Sequence, residues 1–187
     1  MNESTPSIPE SLLKAAGSDR QLPPLHLWNP PCCGAIDIRI TADGTWFHEG
    51  RPIRRTALVR LFASLLRREE DGVYYLVTPA EKLSIQVDDC PFVAVLLESK
   101  GKGPQRELQF ELNTGQRVRA DAQHRLQVEH GANGPHLHLE VRDGLKARLT
   151  RNVYYQLVEL ALAQQEEEAQ VLTVWSAGQC FVLGSLY

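Results

Sequence analysis

The chain has 187 residues, of which 43 % are hydrophobic and 23 % charged, and a formal net charge of -3. A chain of this length can hide about 70 % of the surface it exposes when unfolded, and its composition is that of ordinary globular proteins, which argues against disorder, collagen-like repeats and coiled coil for its bulk. A net charge of -3 supplies no global positive field for nucleic acid or anionic membrane, so any anion site has to be local.

In chain order, Ser7 to Glu10 has capping-box spacing with a proline in the first turn and predicts a short helix over 8–16 that ends at Gly17. Pro23, Pro24, Pro30 and Pro31 predict a surface linker pinned by Leu25, Leu27 and Trp28. After Gly34, residues 35–41 alternate with period two, and Asp43-Gly44 predicts a hairpin leading to Trp46 and Phe47. From Pro52 to Arg68, the set Leu58, Leu61, Phe62, Leu65 and Leu66 falls at helical spacing and predicts an amphipathic helix, closed by Asp71-Gly72. Residues 73–78 and 83–87 predict strands around a turn at 79–82.

Residues 92–98 and 108–112 predict a hairpin around Gly101-Lys102-Gly103-Pro104, and Val118 and residues 126–128 add further strand. Residues 137–141 alternate cleanly and Asp143-Gly144 turns the chain. Tyr154, Leu157, Val158, Ala161 and Leu162 then predict a second amphipathic helix, with 164–168 as its solvated acidic end. Residues 171–176 and 180–183 predict a last hairpin around Ala177-Gly178.

The two halves answer one another. Asp43-Gly44 corresponds to Asp143-Gly144, Arg55 and the stripe after it to Arg151 and its stripe, and the strand ending at Thr78 to the strand ending at Ser176. The expected fold class is therefore α+β: two related sheet-plus-helix units from an internal duplication. An arm with a short helix and proline-rich linker covers 1–33, a first repeat 34–90 and a second 91–187.

The first thirty residues have no basic start followed by an apolar run, and no stretch approaches 18 apolar residues, so a cytoplasmic protein without a membrane partner is expected. Cys32, Cys33, Cys90 and Cys180 form no CxxC pair, which predicts free thiols and no structural zinc; the adjacent Cys32 and Cys33 leave a redox-sensitive pair open. There is no GxxxxGK[ST], GxGxxG after a strand, GxSxG or HExxH, so no catalytic set and no cofactor are expected. His136 and His138 share one face of a strand, as two metal ligands would, with His124 and His130 near in sequence. Leu137, Leu139 and Val141 claim the other face for the core, so the histidines are expected to face solvent, and a hydrolase or metal enzyme built on them ranks last.

Arginine points to a binding function. Arg51, Arg54, Arg55, Arg60, Arg67 and Arg68 crowd the predicted first helix. Arg67 and Arg68 suit a helix C-terminus, whereas Arg54 and Arg55 lie at the N-terminus, where a cation is disfavoured by a few tenths of a kcal/mol unless something negative is close. A phosphate or carboxylate ligand is one such partner, and Arg148 and Arg151 repeat the arrangement. An internal Asp37, Asp88, Asp89 or Asp143 is the other. No DNA- or RNA-binding motif is present and no nucleic-acid partner is expected.

Several separated motifs carry a resemblance. They are Ile36-Asp-Ile-Arg-Ile-x-x-Asp43-Gly44-Thr-Trp46, Gly50-x-Pro52-Ile53-x-Arg55-x-x-Leu58, Tyr75-Leu-Val-Thr-Pro79-x-Glu81 and Val87-Asp-Asp-x-Pro91-Phe92, then Val141-Arg-Asp-Gly-Leu145-x-Ala147-Arg148-Leu149-Thr-Arg151 and Trp175-Ser176. From about Trp28 to Leu183 the chain resembles the bacterial family called domain of unknown function 1285. The resemblance implies a duplicated core whose second unit is a pleckstrin-homology-like, partly open barrel capped by a helix. It implies a signal-transduction role with a nucleotide-like ligand between the two repeats, and on this chain it singles out Trp46, Arg55, Thr78, Glu81, Arg148 and Arg151. Trp46 would stack on a base, with burial in the core as the competing expectation, and the arginines would hold phosphate. The favoured expectation is thus a non-enzymatic regulatory module for a small anionic ligand; the alternative is a protein-protein interaction module.

Overall fold

The structure is a computed structural model and describes residues 8–14, 22–131, 134–164 and 170–185. The chain divides into two compact units, Met1–Asp89 and Cys90–Tyr187.

The first unit opens with α1 (Glu10–Lys14), whose Leu12 is fully buried, and a single 3-10 turn, Leu25–Leu27. The helix expected over 8–16 begins two residues later, at Glu10, while its expected end at Gly17 lies outside the described residues. The strands are β1 (Cys32–Ile40), β2 (Trp46–His48) and β3 (Arg51–Pro52), then, after α2 (Thr56–Leu65), β4 (Leu66–Arg68), β5 (Tyr74–Val77) and β6 (Glu81–Val87). They form one sheet in the order β3-β2-β1-β6-β5-β4, in which only β1 and β6 run parallel. The Asp43-Gly44 hairpin sets Ile40 opposite Trp46, and Asp43 builds the turn by accepting from the Thr41 hydroxyl and the Thr45 N–H. Ile38, Ile40, Trp46, Phe62, Leu65, Leu76 and Val77 are its buried centre.

The first helix is shorter than the apolar spacing predicts. Leu66 is its C-cap with extended backbone (φ -74, ψ 129), and the chain passes directly into β4. Arg67 and Arg68 therefore sit on a strand and not at a helix C-terminus. The arm is also held differently: Leu27 is 71 % exposed, while Arg67 donates to the carbonyls of Leu25 (2.9 Å) and Trp28 (2.8 Å). Glu69 orients that guanidinium by accepting from its Nε and Nη2, and accepts from Lys82 as well. The Arg67 hydrogen bonds hold the Glu69 carboxyl below its ordinary range. Its contribution is present above the unfolded glutamate pKa and is lost as the pH falls through the depressed folded value. Arg67→Ala is expected to cost about 1–3 kcal/mol, because two arm carbonyls lose this donor and Glu69 is left with Lys82. The urea midpoint reads this, and a midpoint unchanged at neutral pH would count against the clamp.

The second unit comprises β7 (Phe92–Lys100), β8 (Glu107–Leu112), β9 (Arg117–Arg119), β10 (Leu126–Gly131), β11 (Gly134–Arg142), β12 (Leu145–Leu149), α3 (Arg151–Leu162), β13 (Val171–Ser176) and β14 (Gln179–Ser185). Its six-stranded sheet has the order β10-β11-β12-β7-β8-β9, with β12 and β7 parallel, and β13 and β14 pair as a separate ribbon. The loop between β7 and β8 is a hairpin connection, as expected. Gly101 is obligatory there: its φ is +76, and a Cβ would lie 2.7 Å from the Gln105 carbonyl oxygen. Thr150 caps α3 by accepting from the Val153 N–H, and Val153, Leu157 and Ala161 form its buried stripe. At the other end Arg106 donates to the Leu160 carbonyl, a cation at the negative pole of the helix.

Each unit thus joins a six-stranded sheet to a helix, and the order hairpin, helix, hairpin recurs. The sheets are not superimposable in topology: the last strand of the first unit pairs with β1, whereas β14 pairs within its own ribbon and the second sheet uses four strands that precede the repeated segment. Among the described residues no helix is long and apolar enough to cross a membrane.

Candidate functional site

The start of α2 follows from local sequence. Pro52 ends β3, the Ile53 N–H donates to the Trp46 carbonyl at 2.7 Å, and the extended N-cap Arg55 accepts from Leu58 and Val59. Arg55 offers no side-chain acceptor and the first turn holds no acidic residue, so α2 supplies no counter-charge of its own to its positive end. Arg51, Arg54 and Arg55 are all exposed, and among the described residues none of the three has an ion pair. Of the carboxylates considered as internal partners, Asp88 is held by Arg39 in a two-point pair of 2.8 and 2.9 Å.

In the second unit Arg151 opens α3, exposed and likewise without an ion pair among the described residues. The Thr150 hydroxyl already accepts from the Val153 N–H there, so this helix start has a side-chain cap where that of α2 has none. Arg148 lies on β12 opposite His138 and its Nε is buried.

The remaining singled-out residues have structural duties. Trp46 is 1 % exposed, with its ring 6.2 Å from that of Phe62, so its faces are closed to a base and the core expectation holds. Thr78, also buried, accepts from the N–H groups of Ala80 and Glu81 and donates to the Glu81 carbonyl. Glu81 in turn accepts from the Ser11 hydroxyl, which ties α1 to the β5–β6 turn. Thr78 and Glu81 are thus brought together, as a turn.

His138 departs from expectation. The alternation places it opposite Leu137 and Leu139 as read, yet it is 6 % exposed while His136 is exposed. Glu129, diagonal to it on β10, approaches its Nδ1 at 3.3 Å, and Lys146 pairs with the other Glu129 oxygen. Cys33, Cys90 and Cys180 are thiols outside any disulfide, and of these Cys90 is buried. The burial of Cys90 and His138 is carried by no local signal, because they are joined only through sheet pairing. A hollow of about 160 Å³ lined by Glu98, Lys100, Glu107, Gln109 and Arg117 lies on the second sheet, where Arg117 is already paired with Glu98 and Glu111.

Among known proteins, residues 23–90 match the family model described as domain of unknown function (DUF1285), N-terminal domain, and residues 91–183 match the model for the DUF1285 C-terminal domain. No curated protein matches the chain. Of solved structures, the chain is similar to a DUF1285 family protein from Silicibacter pomeroyi DSS-3, with 42 % identity, a TM-score of 0.82, and 94 % of this chain and 95 % of that one covered. It is also similar to a DUF1285 family protein from Shewanella baltica OS155, with 28 % identity and a TM-score of 0.53 over 66 % of this chain and 91 % of that one.

Proposed function

The chain belongs to the DUF1285 family, and from that premise we propose that it is a non-enzymatic regulatory module of signal transduction that binds a small anionic, nucleotide-like ligand. The observation that carries this reading is the trio Arg51, Arg54 and Arg55 at the uncapped start of α2, exposed and without carboxylate partners among the described residues. Guanidinium groups beside free helix N–H groups suit phosphate oxygens. Arg151 offers a weaker counterpart on α3, whose first turn Thr150 already caps. We also infer that the recurrent hairpin-helix-hairpin order reflects internal duplication. The second sheet with α3 reads as a pleckstrin-homology-like, partly open barrel.

Thermal unfolding against nucleoside triphosphates, cyclic nucleotides and pyrophosphate tests the ligand. A nucleotide present at about 100 times its Kd stabilises by about 2.7 kcal/mol, a rise of roughly 5–10 °C for a chain of this size. Combined Arg51→Ala, Arg54→Ala and Arg55→Ala substitutions are expected to weaken binding at least about tenfold, since one charge-assisted hydrogen bond contributes about 1.5–3 kcal/mol. No shift from any compound, or an undiminished shift in the triple variant, overturns the reading. The alternative, a protein-interaction module, draws support from Tyr154 and Tyr155, an edge-to-face pair 40 % and 55 % exposed on α3.

A further inference from the structure

Sheet register brings together three metal-ligating side chains that lie far apart in sequence. Cys90 precedes β7 by one buried proline; Val93 of β7 pairs with Arg148 of β12, and Arg148 pairs with His138 of β11. The start of β7 is therefore two strand spacings, roughly 10 Å, from the His138 backbone, a gap that side chains span. One ligand atom each from His138, Cys90 and its peptide neighbour Asp89 lie within 4.8 Å of one another. Cys90 and His138 are buried, while Asp89 is exposed and gives an ion a route in from water.

We propose that Asp89, Cys90 and His138 bind a zinc-class divalent cation, in a site distinct from the arginines at the start of α2. Thiolate, imidazole and carboxylate together are a donor set for a borderline-soft ion, and a thiolate with a carboxylate balances its double charge. On binding, the Cys90 thiol passes its proton to solvent as the sulfur–metal bond forms. Glu129 supplies the outer support: its carboxylate stands 3.3 Å from His138 Nδ1, where its charge favours the proton on Nδ1 and so the Nε2 lone pair toward the metal, and Lys146 steadies the same carboxylate. Three protein ligands leave a fourth position for water or a ligand atom, and Arg148, the register neighbour of His138, favours an anion there.

Cobalt(II) titration of the full-length, chelator-treated and reduced protein tests the site. The expected result is one equivalent bound with a thiolate-to-cobalt charge-transfer band, displaced by zinc and retained in a Cys32→Ser, Cys33→Ser, Cys180→Ser variant whose sole thiol is Cys90. Absence of the band in the unmodified protein, its loss in that variant, or its survival in Cys90→Ser overturns the proposal. Because Cys90 is buried and its serine variant can misfold, alkylation mapped by mass spectrometry on the unmodified chain gives a second readout. Zinc should slow labelling of Cys90 at least about tenfold and leave Cys33 and Cys180 unchanged; Cys90 labelling unaffected by zinc also overturns it.

Discussion

Ser176→Ala is expected to destabilise the second unit by about 2–4 kcal/mol, although it removes one oxygen atom. The Ser176 hydroxyl is fully buried; it accepts from the Leu108 N–H at 3.0 Å and donates to the Ala120 carbonyl at 2.7 Å. Leu108 and Ala120 are themselves fully buried and already joined by the bond from the Ala120 N–H to the Leu108 carbonyl. Alanine leaves one buried donor and one buried acceptor without this partner, and each orphaned group costs about 1–3 kcal/mol. The melting temperature should fall by roughly 5–15 °C. A loss below about 0.5 kcal/mol would mean that water replaces the hydroxyl, and the bridge would be structurally incidental.

Phe62→Ala is expected to cost the first unit about 3–5 kcal/mol. The ring is fully buried on α2 and tilted 35° to that of Trp46, so truncation opens a cavity and removes an aromatic pair contributing about 0.5–1.5 kcal/mol beyond its buried area. Phe62→Leu, which keeps most of the volume, should cost under about 1.5 kcal/mol. Urea unfolding separates the two variants, and near-ultraviolet dichroism should report a loosened Trp46 in the alanine variant alone. Equal losses for both substitutions would place the energy in the ring's chemistry and not in the space it fills.

Local signals were legible where local physics decides. Asp43-Gly44, Asp143-Gly144 and Ala177-Gly178 specify backbone with positive φ at Gly44, Asp143, Gly144, Ala177 and Gly178, and each closes a hairpin. The second helix was readable because Thr150 caps it and its apolar stripe stops with it. The end of the first was not: Leu66 continues the helical spacing, no glycine or proline follows at once, and the residue is buried all the same, from β4. The correspondence of Thr78 with Ser176 located two buried hydroxyls but not their work. One folds back on its own turn and the other bridges segments of distant sequence. Alternation puts His138 on the face opposite Leu137 and Leu139, but whether that face stays wet depends on Glu129 and Cys90, which only strand pairing brings near. The arginines at the start of α2 are legible because helix electrostatics is local; that no carboxylate among the described residues pairs with them depends on the tertiary fold.

Each sheet contains one parallel ladder, β1 with β6 and β12 with β7, and this sets a timetable for the nascent chain. The first sheet cannot close until Val87 has left the ribosome, and the second waits for Leu149. Roughly sixty residues separate these points, which at about 5–20 residues per second is about 3–12 s of translation. The first sheet therefore has seconds to form while the second is still an open hairpin, and the two slow, non-local closures are taken one after the other and do not compete.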